Sequence, residues 1–360
     1  MPFYYQSHGK EPPNKFVAAA RRIYNPLGFR RGYNFPLWVI FAGAALGFCA
    51  SRAMYLDYDD TYKKEKWVTG DWEHQSHGRG RVGMLLHLAC VIPIGFLLPW
   101  QFLPAIRHRF MLFHRLNGYI LMTLLIIGNV GANMIADKAL GGSLDARILV
   151  VILTVATTGS LLMAYINIKR LQIDQHRAWM LRAWSYAFVI ITQRLIQLAA
   201  MEVVSRRGGF YVTMACHSVD AILSLVQPGL APAFYPQCAG SPDTTVAVLA
   251  NKYAAPTAEG IPPLHEMGAT AQVTFAPTGM LALMIHYFAV EVYLHLTGAE
   301  ANRLKRVSRE RQLQRGWSRA GDASWLTRET WGDMDEFDYG DKKADGVSSL
   351  QTSDGPGSES

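Results

Sequence analysis

The sequence predicts an all-α, polytopic transmembrane helix bundle with six spanning helices and both termini in the cytoplasm. Three observations predict this fold. Half of the 360 residues are hydrophobic, and they collect in runs of about 20 residues, the length that crosses a bilayer as a helix. Within each run the apolar residues are continuous and do not alternate with polar ones, so helices are favoured over barrel strands. Lysine and arginine flank the runs, as they do at the cytoplasmic ends of membrane helices.

The apolar runs define six spans separated by polar segments. A weakly apolar stretch over 210–227 is a candidate seventh crossing, but His217 and Asp220 inside it argue against this reading. The fifth predicted span carries more polar side chains than the other five. The predicted spans lie near 35–55, 82–104, 114–136, 146–168, 178–200 and 275–296.

These spans divide the chain into three regions. We expect a basic cytoplasmic tail over 1–33, a transmembrane bundle over 34–297 and a cytoplasmic tail over 298–360. The last region is acidic and rich in glycine and serine after about residue 316, a composition typical of disorder. The protein is therefore expected to be an integral, multi-pass membrane protein.

The positions of the basic residues determine the predicted orientation. They cluster before the first, third and fifth spans and after the sixth, so six spans place all four clusters on one side, which we assign to the cytoplasm. The segment 56–80 is an exception, because it holds Lys63, Lys64 and Lys66 among balancing acidic residues. The formal net charge is +7, but no nucleic-acid-binding pattern accompanies it. The expected partner is the lipid bilayer and not nucleic acid.

The long segment over 201–274 is predicted to lie on the non-cytoplasmic side and to be ordered. It contains Cys216 and Cys238, which an oxidising compartment would join in a disulfide, and the alternative is two free thiols. Cys49 and Cys90 fall inside apolar runs and are interpreted as packing residues. The cysteines show no spacing typical of a metal site, so no metal is predicted.

Several polar residues lie inside the outer halves of the predicted spans, where each needs a partner or a function. His87 lies in the second span and His286 near the middle of the sixth. If the helices pack together, these residues form one buried polar cluster; the alternative is a set of ordinary interhelical hydrogen bonds. The supporting residues in this outer half are Asn129, Asn133, Gln193, Arg194 and Gln197.

Two His-Arg pairs mark the cytoplasmic ends of the third and fifth spans. They are His114-Arg115 and His176-Arg177, and Arg182 follows the second pair. Two histidines that face each other at similar depth can bind a b-type haem between two helices, and His114 and His176 meet the depth condition. The alternative is interfacial anchoring, with arginines that extend to the headgroups.

His87 and His286 are the second candidate pair of haem ligands. Their predicted depths differ by roughly five residues, or about 8 Å along a helix, which helix tilt can absorb.

Two segments, Leu86 to Ile120 and Ile173 to Leu195, resemble the membrane family named domain of unknown function 2306. The segments Tyr235 to Cys238 and Leu281 to Thr297 are similar to its fungal branch. The resemblance implies a helical membrane fold, and the family has no established reaction. A looser architectural similarity to transmembrane b-type cytochromes is a fold-level analogy. The matching residues are His87, Gln101, Phe102, His114, Arg115, Gly118, His176, Arg177, Trp179, Met180, Arg182 and Arg194.

Three functional hypotheses follow, and no soluble catalytic signature separates them. The first is a redox protein in which His114 and His176 hold one haem b, and His87 and His286 are candidate ligands of another. The second is a haem-free membrane enzyme or accessory protein that acts on a lipophilic small molecule near His87 and Arg194. The third is a membrane scaffold. We rank the hypotheses in this order. The first implies a redox partner, and the second implies a lipophilic small-molecule substrate.

Overall fold

The computed structural model describes residues 14–29, 31–64, 70–257 and 260–316. Six of the described helices are long and apolar enough to cross a membrane, so the predicted six-span, all-α bundle and its multi-pass membrane location are confirmed. The tail predicted to be disordered after about residue 316 lies outside the described residues. Spans 1 to 6 are Asn34–Leu56, Gly78–Gln101, Met111–Ile135, Leu144–Lys169, Ile173–Arg207 and Leu264–Leu296.

Spans 5 and 6 are longer than their apolar runs. Span 5 consists of two helices, Ile173–Ala187 and Val189–Arg207, that meet at Phe188. It ends where Gly208 adopts a positive φ of 69°, a conformation that favours glycine. Span 6 begins directly after Pro263. Both helices therefore continue beyond the hydrocarbon toward the segment that connects them.

The described residues of that connecting segment, 208–257 and 260–263, form a small unit that we call the cap. Strand β1 (Tyr211–Ala215) pairs antiparallel with strand β2 (Thr245–Leu249). The stretch considered as a seventh crossing contains β1 and an eight-residue helix, Cys216–Leu223, so it does not span. The other described cap helices are Ala231–Phe234 and the 3₁₀ helix Pro236–Ala239.

The cap has its own apolar core and a covalent link. Val219, Leu223 and Val248 are fully buried in it. The predicted disulfide between Cys216 and Cys238 is confirmed. We call this end of the bundle the loop end and the opposite end the basic end; the assignment of the basic end to the cytoplasm stays a prediction.

The basic end carries helices outside the spans. The C-terminal helix Gly298–Gln314 docks on the turn between spans 4 and 5. There the Ser308 hydroxyl accepts the Ile173 N–H at 2.8 Å and donates to Asp174 at 3.1 Å. The remaining described helices are Lys15–Tyr24 and Pro104–Arg109 at this end, and Tyr58–Tyr62, Asp71–Gln75 and Ala139–Gly142 on the loop side.

Spans 2 and 3 pack with their backbones in contact. A Cβ atom added to Gly131 would lie 2.6 Å from the carbonyl oxygen of Gly83 and 2.7 Å from the backbone nitrogen of His87. Gly95 allows span 1 to approach in the same way, because a Cβ there would collide with Cys49. Small residues of this kind let membrane helices approach closely.

Spans 4 and 6 pack against each other near the loop end. There a Cβ on Gly279 would collide with the buried side chain of Leu149. Both spans run from the loop end toward the basic end. Beyond the contact of Gly279 with Leu149 they flank an open cleft, which is the candidate site.

Candidate functional site

An apolar cleft of about 520 Å³ lies between spans 4, 5 and 6. Spans 4 and 6 form its walls, and span 5 contributes two aromatic side chains. At its mouth are side chains with large exposed fractions, such as Val155 (66%) and Met284 (49%). The mouth therefore faces the surface that lipid covers. The lining residues are Ile152, Val155, Ala156, Gly159, Ser160, Met163, Trp179, Tyr186, Leu283, Met284 and Tyr287.

Gly159 contributes to the width of the cleft. A Cβ added to it would meet no atom within 4 Å. Its role is thus opposite to that of Gly131, where a Cβ would collide with the neighbouring backbone. A larger side chain at position 159 would occupy cleft space without displacing a helix.

Two almost fully buried side chains that carry hydroxyl groups line the cleft. Ser160 is 4% exposed and Tyr186 is 8% exposed. Among the described residues, neither side chain has a hydrogen-bond partner, although Thr157 on the same helix bonds to the Leu153 carbonyl at 2.6 Å. Buried hydroxyl groups normally have partners, so these two are available to a molecule in the cleft.

An ion pair lies at the end of the cleft nearer the basic end. Arg182 Nε and Nη2 donate to Glu291 Oε1 and Oε2 at 2.6 and 2.8 Å. The guanidinium also stacks 4.8 Å from the centre of the Trp179 ring. Arg182 and Glu291 each lie one helical turn from a cleft tyrosine, Tyr186 and Tyr287 respectively. The pair joins spans 5 and 6 on the faces that border the cleft.

Arg182 belongs to the polar set predicted from the sequence, but its pairing with Glu291 was not predicted. A usable signal was present, because opposite charges occur at similar distances from the basic ends of spans 5 and 6. Nor did sequence reasoning find Ser160, Tyr186 or Gly159. A serine, a tyrosine and a glycine in apolar runs carry no pattern that separates a cleft from a packed interface.

The two histidines proposed as the second haem pair are held by different helices. His87 Nδ1 lies 2.9 Å from the Gly128 carbonyl on span 3. His286 is bound to span 5, with Nε2 at 2.8 Å from Thr192 and Nδ1 at 3.3 Å from Ser185. Both nitrogens of His286 thus have partners within the protein.

The polar residues expected to form one outer cluster are distributed over separate contacts. Asn129 donates to Thr157 at 2.9 Å and to Thr158 at 3.0 Å, and Asn133 donates to Thr154 at 2.7 Å. These bonds connect spans 3 and 4. They correspond to the interhelical hydrogen bonds considered as the alternative.

A second group connects spans 5 and 6 near the cap. Gln193 Nε2 and Arg194 Nη1 donate to Gln197 Oε1 at 3.0 and 2.9 Å. Gln197 in turn donates to the Ala271 carbonyl at 3.0 Å. Arg194 also lies over the Phe275 ring, with its guanidinium carbon 5.4 Å from the ring centre.

His114 and His176 are close enough to interact electrostatically. His176 Nδ1 lies 2.9 Å from the Ala164 carbonyl, and His114 Nδ1 is buried without a partner among the described residues. Of the neighbouring arginines, Arg177 donates to Thr297 at 3.1 Å, whereas Arg115 is exposed. In the described part of the chain, no group of three or more His, Cys, Asp or Glu residues could hold a metal ion.

Comparison with known families bears on spans 2 to 5. Residues 84–225 match the family model described as "Predicted membrane protein (DUF2306)". The predicted family resemblance is confirmed over this segment. The DUF2306 segment includes His87, His114, Ser160 and Tyr186 and ends before span 6. No curated protein and no solved structure matches the chain.

Proposed function

We propose that this protein binds a lipophilic small molecule that enters the cleft between spans 4, 5 and 6 laterally from the bilayer. One observation carries the proposal: the apolar cleft of about 520 Å³ on the lipid-facing side of these spans. Its volume is within the range of about 300–1,000 Å³ that small-molecule sites occupy. This proposal corresponds to the second of the three sequence-based hypotheses, but with a different site.

The way in which the helices are connected supports a persistent cleft. Near the loop end, Gly279 brings span 6 against Leu149 of span 4. Nearer the basic end, Arg182 and Glu291 join spans 5 and 6 by two hydrogen bonds. Span 6 is thus joined to span 4 at one end of the cleft and to span 5 nearer the other end, so a ligand can bind without separating the bundle.

Photolabelling tests the proposal. The purified full-length protein is placed in lipid nanodiscs with a long-chain alkane that carries a diazirine, and labelled peptides are mapped by mass spectrometry. We expect peptides that contain 152–163 and 283–287 to be labelled more strongly than the peptide that contains 37–47 of span 1, which also faces lipid. Gly159→Leu is expected to remove this excess.

Gly43→Leu is the matched control. Gly43 also lies in a span, and a Cβ added to it would meet no atom within 4 Å, but it does not line the cleft. The control is expected to keep the excess labelling of the cleft. Equal labelling of cleft and span 1 peptides in the unaltered protein would refute lateral binding in the cleft.

A b-type haem between His114 and His176 is a second candidate, favoured by the state of their ring nitrogens. If His176 Nδ1 donates to the Ala164 carbonyl, its Nε2 is left with a lone pair, as in many oriented metal ligands. Nδ1 of His114 is buried without a partner among the described residues, so His114 can serve as the second ligand of the haem iron. A haem bound there would supply one-electron transfer.

This candidate ranks below the cleft because it rests on two side chains, whereas the cleft is an existing volume. His87 and His286 add no second haem to the proposal, because both nitrogens of His286 bind hydroxyl groups. Absorption spectra of the oxidised and reduced protein test the haem. A Soret band that disappears in His176→Ala would support it, and a spectrum without that band would eliminate it.

A further inference from the structure

The hydroxyl groups of Ser160 and Tyr186 indicate which chemical group the cleft binds. We infer that the cleft selects an uncharged lipophile that carries a hydrogen-bond-accepting oxygen, to which Tyr186 and Ser160 donate. This inference rests on the proposed function and adds the class of ligand to it. The two side chains belong to different spans but line the same cleft.

Ser160 departs from the usual behaviour of hydroxyl groups in membrane helices. Such a side chain commonly donates to the carbonyl four residues earlier, and Thr157, Thr274 and Thr278 of this protein do so. Ser160 makes no such bond among the described residues, although it is 4% exposed. The Ser160 hydroxyl group can therefore donate to a molecule that is not part of the protein.

Tyr186 presents its hydroxyl group in a similar way. The side chain packs with the buried residues Val189, Ala282, Leu283 and Val290, which fix the ring. A buried tyrosine usually directs its hydroxyl group to a partner, yet no described residue supplies one. Because Tyr186 lines the cleft, a molecule bound there can supply this partner.

The charges around the cleft favour an uncharged ligand. None of the lining residues is acidic, basic or a histidine. The nearby Arg182 and Glu291 neutralise each other through two hydrogen bonds of 2.6 and 2.8 Å. A carboxylate that bound Arg182 would have to replace both bonds and leave Glu291 unpaired. An ammonium group that bound Glu291 would in the same way leave Arg182 unpaired.

A carbonyl or hydroxyl head suits the two hydroxyl groups because its oxygen can accept their hydrogen bonds. A carbonyl or hydroxyl oxygen has two lone pairs and can accept two hydrogen bonds. The apolar remainder of the lining, which includes Leu283 and Met284, suits a hydrocarbon body. An aliphatic ketone or alcohol has both features, whereas an alkane has only the second.

Competition against the alkane photoprobe tests this inference in nanodiscs that contain the full chain. The competitors have one chain length and differ only in the head: an alkane, a primary alcohol, a methyl ketone, a carboxylate and an ammonium. We expect the ketone and the alcohol to compete about tenfold better than the alkane, and the two charged competitors no better than the alkane.

Conservative variants assign the effect to the two hydroxyl groups. Tyr186→Phe and Ser160→Ala are each expected to lower the advantage of the ketone over the alkane about threefold, and the double variant is expected to abolish it. Tyr119→Phe is the control, because Tyr119 lies on span 3, is 49% exposed and does not line the cleft.

The possible outcomes separate the inference from the proposed function. Equal competition by all five molecules, with cleft labelling still present, would overturn the inference. The same result is expected if bulk acyl chains fill the cleft. Strongest competition by the carboxylate or the ammonium would likewise overturn it. Absence of excess cleft labelling by the alkane probe would instead refute the proposed function itself.

Discussion

The molecule contains two groups of spans that pack in different ways: spans 2 and 3 form the first group, and spans 4 to 6 form the second. Between spans 2 and 3, Gly83 and Gly131 bring the backbones into contact, and His87 bonds to the Gly128 carbonyl. In the second group, Gly159 faces empty space and the hydroxyl group of Ser160 has no partner among the described residues. The first arrangement fills its interface, and the second leaves a cleft.

The difference shows that glycine in a membrane span has two uses. In lipid, helices associate through close packing and hydrogen bonds, because lipid chains are as apolar as the side chains. Gly131 permits close packing, whereas Gly159 leaves volume for another molecule. Spans 4 to 6 stay together through contacts on either side of the cleft, at Gly279 with Leu149 and at Arg182 with Glu291.

The largest expected effect is that of Gly131→Leu. Its side chain would meet the backbone of span 2 at 2.6 to 2.7 Å, so the two spans would have to separate. We expect a loss of stability above about 3 kcal/mol and little monodisperse protein by size-exclusion chromatography. Gly159→Leu is expected to elute like the unaltered protein. Equal elution of the two variants would contradict the difference between the two glycines.

The next effect concerns the ion pair. Glu291→Gln leaves Arg182 with a neutral partner, and because both side chains are partly exposed (22% and 36%), we expect a loss of about 1–2 kcal/mol. Thermal unfolding in detergent measures it. The double variant Arg182→Gln with Glu291→Gln should recover part of this loss, since no unpaired charge remains. A double variant that is less stable than either single variant would contradict this account.

A smaller effect is expected for Asn129→Ala. It removes the hydrogen bonds from Asn129 to Thr157 and Thr158 between spans 3 and 4. Interhelical hydrogen bonds of this kind contribute about 0.6–2 kcal/mol, so the midpoint of thermal unfolding should fall. An unchanged midpoint would show that these bonds do not hold the two spans together.

The smallest effect is expected for Ser160→Ala in the absence of ligand. The hydroxyl group makes no hydrogen bond within the described residues, so its removal should leave the midpoint of thermal unfolding unchanged or slightly raised. Comparison with Asn129→Ala tests whether removal of an unpartnered polar group lowers the midpoint of thermal unfolding less than removal of a hydrogen-bonded one. A loss at Ser160 as large as that at Asn129 would indicate a structural role.

The sequence predicted the features that depend on composition along the chain. Six spans follow from apolar runs, and the Cys216–Cys238 disulfide followed from the predicted location of the segment that contains both cysteines. The extra turns of spans 5 and 6 were not predicted, because the helices continue there through polar residues beyond the apolar runs. Hydropathy indicates which residues lie in the hydrocarbon of the bilayer, but it does not indicate where a helix ends.

The cleft could not be predicted, because depth in the membrane does not specify the direction in which a residue faces. His87, Asn129 and Gln193 were placed at related depths, but they bond to different neighbouring helices. Arg182 and Glu291 are separated by 109 residues, and only the packing of spans 5 and 6 joins them. The distinction between Gly131 and Gly159 also requires knowledge of the neighbouring helix.

The ratio of photolabel in the cleft to photolabel in span 1 tests the central claim most directly. It is measured with the alkane diazirine in nanodiscs, for the unaltered protein, Gly159→Leu and Gly43→Leu. The account predicts a ratio well above one that falls to about one only in Gly159→Leu. A ratio of about one in all three proteins, or an equal fall in both variants, would contradict a ligand site between spans 4, 5 and 6.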